Sequence, residues 1–141
     1  MIRISKLTDY GIVLLTHFAR VARDERERTF SARELADDSD IPLPTVGKLL
    51  KILSKAELLE SQRGTKGGYR LIRKPESITA AEIIRFIEGP IALSDCTEHP
   101  CGCERARTCS LKSSWHKINK VVLQALESLT LDDILRQHKE E

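Results

Sequence analysis

Apolar positions recur at helical spacing through LTDYGIVLLTHFARVAR, where Tyr10, Leu14, Phe18 and Ala22 form one stripe. That pattern predicts a first helix from Thr8 to about Arg23. The charged, turn-like DERER ends it, and SARE (Ser31 to Glu34) supplies a capping box for a short second helix reaching about Asp38. A third helix follows in LPTVGKLLKILSKAELL, with Pro44 suited to its first position. Val46, Leu49, Leu50 and Leu53 face inward from it, and Lys48, Lys51 and Lys55 share another face. LLESQRGTKGGYRLI then reads as two short strands around a tip containing Gly64, Gly67 and Gly68, with Arg63 and Lys66 at the tip. Thr79 and Glu82 form a second capping box before Ile83, Ile84 and Ile87, and Gly89 ends that helix.

Beyond a polar segment the period changes. Leu111, Trp115, Ile118, Val122, Ala125 and Leu129 are separated by 4, 3, 4, 3 and 4 residues, a heptad seam of the kind that pairs helices. Trp115, Ile118 and Val122 are its central dimer-interface candidates. The organisation is therefore a winged helix-turn-helix domain at 1–90, a cysteine-rich loop at 91–110, a dimerisation helix at 111–130 and a C-terminal tail at 131–141, with QHKEE frayed. The fold class is mainly α, with a small β-hairpin wing.

Charge sharpens this picture. The chain carries a net charge of +2, yet Lys48 to Lys74 alone holds eight basic and two acidic residues, a local +6 against −4 elsewhere. Two short helices, the second with a basic face, followed by a basic hairpin point to double-stranded DNA. The second helix can enter a major groove while the wing touches phosphates or a minor groove. Lys51 and Lys66 are phosphate candidates. A twofold-symmetric protein matches a pseudo-palindromic operator, which makes the seam a homodimer contact.

All four cysteines fall within fourteen residues of one polar segment, DCTEHPCGCERARTC, as C-x4-C-x-C-x5-C. A disulfide framework would spread its bridges along the chain. The thiols of Cys96, Cys101, Cys103 and Cys109 instead suit a metal or an iron–sulfur cluster. Structural zinc favours paired C-x2-4-C knuckles, of which this segment lacks two, whereas a cluster spaces its own ligands. Spacing alone leaves both open.

LTDYG, the wing RGTKGGYRL and the cysteine loop before a long helix resemble the IscR/NsrR family of winged-helix regulators over nearly the whole chain. MIRISKLTDYGIVLLTHFAR and SDCTEHPC are most similar to its branch of SUF-system iron–sulfur assembly regulators. The resemblance implies a homodimer whose loop cysteines hold a 2Fe–2S or 4Fe–4S cluster, with cluster state controlling suf-type genes. A nitric-oxide- or redox-responsive repressor of the same family, or a zinc-stabilised winged-helix protein, is the alternative. It matches three ligands to Cys96, one of Cys101 and Cys103, and Cys109. A fourth histidine ligand in one branch falls here on Lys112, while the aspartate of another branch matches Asp9, donated from the partner's first helix. A fourth loop thiol or His99 could take the same place. Its DNA-reading positions correspond to Pro44, Thr45, Gly47, Lys48 and Arg63, so base reading rests on Thr45, Lys48 and Arg63.

No phosphate-binding glycine loop opens a helix, and no C-x-x-C accompanies a βαβ pattern, so an enzyme is not expected. Apolar runs such as Ile12 to Leu15 fall far short of the roughly 20 residues that span a bilayer, which predicts a cytoplasmic protein without a membrane segment.

Overall fold

A computed structural model describes residues 2–24, 28–65 and 67–137. Helix α1 spans Lys6–Asp24, starting two residues before the expected Thr8 because Ser5 caps it, its Oγ accepting from the Thr8 amide at 3.2 Å. Helix α2 spans Ala32–Ser39 with the complete capping box. Ser31 Oγ accepts from the Glu34 amide at 3.1 Å, and the Glu34 carboxylate accepts from the Ser31 amide at 2.7 Å. Helix α3 spans Leu43–Lys55, capped by Pro42, so Pro44 occupies its second position. Strands β1 (Leu59–Gln62) and β2 (Gly68–Leu71) pair antiparallel, Glu60 opposite Arg70 and Ser61 opposite Tyr69. Helix α4 spans Ala80–Glu88, followed by the long α5 (Lys112–Ser128) and α6 (Leu131–Gln137). The architecture is the expected mainly helical winged helix-turn-helix with a two-stranded wing.

The core gathers Leu14, Leu15 and Phe18 of α1, Leu35 of α2, and Val46, Leu49, Leu50 and Leu53 of α3, all essentially inaccessible to water. The inward set expected on α3 is the set observed. Leu131 and Leu135 of α6 belong to the same core, which corrects the reading of 131–141 as a tail. After α5 the chain returns to the winged domain, where the Ala80 amide donates to Leu129 O and the Leu131 amide to Ile78 O, both at 2.8 Å. The signal was masked by charge: LDDILRQ carries two acids and one arginine around two buried leucines. Of QHKEE, Gln137 ends α6 and His138–Glu141 lie outside the described residues.

The second capping box is only half formed. Thr79 Oγ1 accepts from the Glu82 amide at 3.2 Å, but the Glu82 carboxylate turns away to pair with the Arg73 guanidinium. A charged donor outcompetes a neutral amide for the carboxylate. Among the described residues, no helix is long and apolar enough to cross a membrane.

Candidate nucleic-acid interface and cysteine loop

Helix α3 presents Lys48, Lys51 and Lys55 to solvent on the side opposite its buried leucines. Thr45 is half-buried in its first turn. The wing faces this helix across an open groove of about 940 Å³, lined by Gly47, Lys48, Lys51, Lys55, Ser61 and Tyr69. Arg63 is exposed where β1 leaves the hairpin. Lys66 lies outside the described residues.

The wing is fastened by more than its own hairpin. Phe30 pairs with Tyr69 as a third, one-residue strand, through amide–carbonyl bonds of 2.9 and 2.8 Å. Gly68 is required for this approach: its φ is +152°, and a Cβ there would lie 2.5 Å from Phe30 O. Phe30 in turn packs edge-to-face on Phe18 of the core, with centroids 5.7 Å apart. The wing therefore has a fixed position relative to α3. Two of the eight basic residues, Arg70 and Arg73, form ion pairs with Glu60 and Glu82. Lys48, Lys51 and Lys55 line the groove itself and give it a positive wall.

The cysteines occupy the connection from α4 to α5. A single 3₁₀ turn at Asp95–Thr97 holds Cys96, whose Sγ lies 3.2 Å from Ser94 Oγ. Thr97 is buried, its Oγ1 donating to Ser94 O at 2.7 Å. The Gly102 amide donates to Asp95 O at 3.1 Å, closing the loop so that Cys101 and Cys103 flank the residue paired beside Cys96. Further on, Arg105 O accepts from the Cys109 amide at 2.9 Å. All four thiols are free; Cys96 and Cys103 are half-buried, Cys101 and Cys109 exposed. Among the described residues, no three His, Cys, Asp or Glu side chains are gathered as a metal-binding group. The loop carries its donors along its length, as the irregular spacing allows.

Asp9 is exposed in the first turn of α1, and His99 and Lys112 are also exposed. Next to Asp9, Glu88 at the end of α4 accepts from the Thr8 hydroxyl at 2.6 Å and from the Ser5 amide at 2.8 Å. The Thr8 hydrogen bond is the main reason its carboxyl is held below the usual carboxylate range. The ends of α1 and α4 are thereby joined just before the cysteine segment.

Helix α5 has no buried residue, and Leu111, Trp115, Ile118 and Val121 are all exposed. The heptad placed Val122 on this line, but Val122 is half-buried and Val121 is 64% exposed. Asn119, missed in the sequence, accepts from the Leu93 amide at 2.9 Å and donates to Ile91 O at 3.3 Å. It ties the start of the cysteine segment to α5. A polar residue beside the seam was the available signal.

The family model described as an iron-dependent transcriptional regulator, Rrf2, matches residues 4–137. The regulator NsrR of Halalkalibacterium halodurans is 29% identical over 139 residues, covering 98% of this chain and 93% of its own. Among solved structures, T. potens IscR aligns with a TM-score of 0.74 and 29% identity, over 99% of this chain and 90% of that one. CymR, the global cysteine regulator of B. subtilis, aligns with a TM-score of 0.71 and 32% identity, over 97% and 98% of the two chains.

Proposed function

We propose that this chain, which belongs to the Rrf2 family of iron-dependent transcriptional regulators, is a homodimeric, cytoplasmic DNA-binding regulator that senses iron–sulfur status and controls cluster-assembly genes of the suf type. DNA binding and transcriptional regulation come with the family. The sensing reading rests on one observation: four free thiols are confined to the loop that joins the winged domain to α5. Its donor set fits an iron–sulfur cluster, since soft thiolates are the ligands such clusters use. Cys96, Cys103 and Cys109 would hold it, with Cys101 as the spare thiol because Cys103 shares the partial burial of Cys96 while Cys101 faces solvent. Asp9 of the partner subunit is the candidate fourth ligand, being exposed in the first turn of α1. When bound, a 2Fe–2S or 4Fe–4S cluster supplies a reactive core whose integrity depends on iron, oxidants and nitric oxide.

The chain's own residues supply the coupling. Asn119 fixes residues 91–93 to α5, and α5 carries the exposed apolar line of Leu111, Trp115 and Ile118 on which a second copy can dock. Ordering of the loop therefore bears on the orientation of α5, and through it on the spacing of the two α3 helices. Two half-sites about one helical turn apart tolerate little error in that spacing. Loop order thus shifts the population of the DNA-competent dimer, to the extent that the two arrangements bind the ligand differently. Lys51 and Lys66 would contact phosphates, with Thr45, Lys48 and Arg63 nearer the bases.

The ultraviolet–visible spectrum of anaerobically purified protein, with iron, sulfide and zinc assays, tests this. Visible charge-transfer bands with matching iron and sulfide are expected. A colourless protein holding stoichiometric zinc would overturn the sensing reading in favour of a zinc-stabilised winged helix. The nitric-oxide-responsive reading is favoured by Asp9 and is separated by bleaching of those bands with nitric oxide at promoters unrelated to cluster assembly.

A further inference from the structure

Gly47 is the fifth residue of the 13-residue α3, well inside the helix. Glycine there weakens a helix relative to alanine, because its unfolded backbone has more freedom to lose. A Cβ added at Gly47 would meet nothing within 4 Å. Gly11 of α1 shows the contrast: a Cβ there would lie 2.4 Å from Ile87 Cδ1, so packing within the protomer explains it. No contact of this kind explains Gly47. Its surroundings point outward. Gly47 lines the groove with Pro44, Lys48 and Lys51. Leu43 and Pro44, four and three residues earlier and so on the same side of the helix, are exposed, Leu43 by 41%. The leading face of α3 is therefore apolar and bare, with lysines along its flank.

We infer that α3 reads DNA by close apolar contact: the missing side chain at Gly47 lets the helix backbone approach base edges, and Leu43 and Pro44 pack on thymine methyl groups. The thymine C5-methyl is the apolar group that the major groove displays, and apolar side chains recognise it. Lys51 then lies where phosphates flank the groove, and fixes the helix at that depth. This rests on the DNA-binding reading of α3, and adds an apolar chemistry of specificity beside the hydrogen-bonding side chains of Thr45, Lys48 and Arg63.

The test uses an operator duplex recovered with the wild-type dimer from a randomised pool. Thymines in the footprint are replaced singly by uracil, which removes only the methyl group. Affinity should fall about fourfold at each thymine facing α3, the value of one buried methyl, and Leu43→Ala should abolish that sensitivity at its own site. Gly47→Ala should raise the melting temperature and weaken operator binding about tenfold, comparable to one mismatched base pair. Indifference to uracil at every position would overturn the apolar readout, and a Gly47→Ala dimer with wild-type affinity would overturn the close approach. Lys51→Ala is the control: if it too binds like wild type, the DNA-binding role of α3 has failed instead.

Discussion

Asp132 of α6 accepts a hydrogen bond from the Arg23 guanidinium at the end of α1, across 109 residues of sequence. It also meets Arg136 one turn on, at 2.7 Å, and is itself 3% exposed. The pair locks the returning C-terminal segment onto the winged domain. The Arg23 hydrogen bond is the largest reason the Asp132 carboxyl is held below its ordinary range, and the two arginine charges act in the same direction.

A carboxyl lowered in the folded state contributes stability above its unfolded pKa of about 3.9, and that contribution is lost as pH falls through the folded value. Asp132→Asn should therefore cost about 2 kcal/mol near neutral pH, the scale of a hydrogen bond to a charged group. Urea unfolding of both proteins from neutral pH downward should show the gap closing below about pH 4. A gap that stays constant would remove the charge of Asp132 from the stability of α6.

Trp115 and Ile118 should hold the dimer together. They are 39% and 45% exposed in the protomer, more than large apolar residues on an unpartnered helix would favour. Trp115→Ala combined with Ile118→Asp should yield monomer in light scattering. Burial of a tryptophan in a core is worth about 3–5 kcal/mol. An intact dimer would relocate the interface, and Val121→Asp, at the most exposed apolar position of α5, would then be the informative variant.

The groove side of α3 and the wing should contribute to DNA binding in different ways. Lys51→Ala should weaken all sequences alike and lower the salt slope by about one. Arg63→Ala should cost about 1–3 kcal/mol and relax preference at the base pair it reads. Fluorescence anisotropy across a salt series separates the two. Wild-type affinity of the Arg63 variant at its operator would take the wing out of recognition.

The winged domain was legible because its signals are local: Ser31 and Glu34 form their box within four residues, and Leu49, Leu50 and Leu53 follow the helical period. What was not legible depends on distant partners. Glu82 has the spacing of a capping residue but is drawn away by Arg73, which no local rule weighs. Asp132 reads as surface charge until Arg23 is placed beside it, and with it went the whole of α6. In the site, the segregation of free thiols into one loop was visible at once, while the Asn119 anchor and the third strand at Phe30 needed the fold to bring residues 26 to 39 positions apart together.

The thiols themselves can be ranked. Cys96 is fixed by the 3₁₀ turn and the Gly102–Asp95 hydrogen bond, and Cys109 by the hydrogen bond its amide donates to Arg105 O, so each has a defined backbone from which to ligate. Cys96→Ser and Cys109→Ser should each abolish the visible absorption of anaerobically isolated protein. Cys101 and Cys103 flank Gly102, and only Cys103 shares the partial burial of Cys96. Cys103→Ser should therefore lose most of the cluster, and Cys101→Ser should keep most of it. Asp9→Ala should retain a cluster that bleaches faster, and the monomeric Trp115→Ala/Ile118→Asp protein should match it, because a ligand from the partner subunit is lost with the dimer. Full cluster content in all four serine variants would move the site away from the loop. Unchanged operator affinity after cluster loss would leave the ligands in place and remove the sensing role.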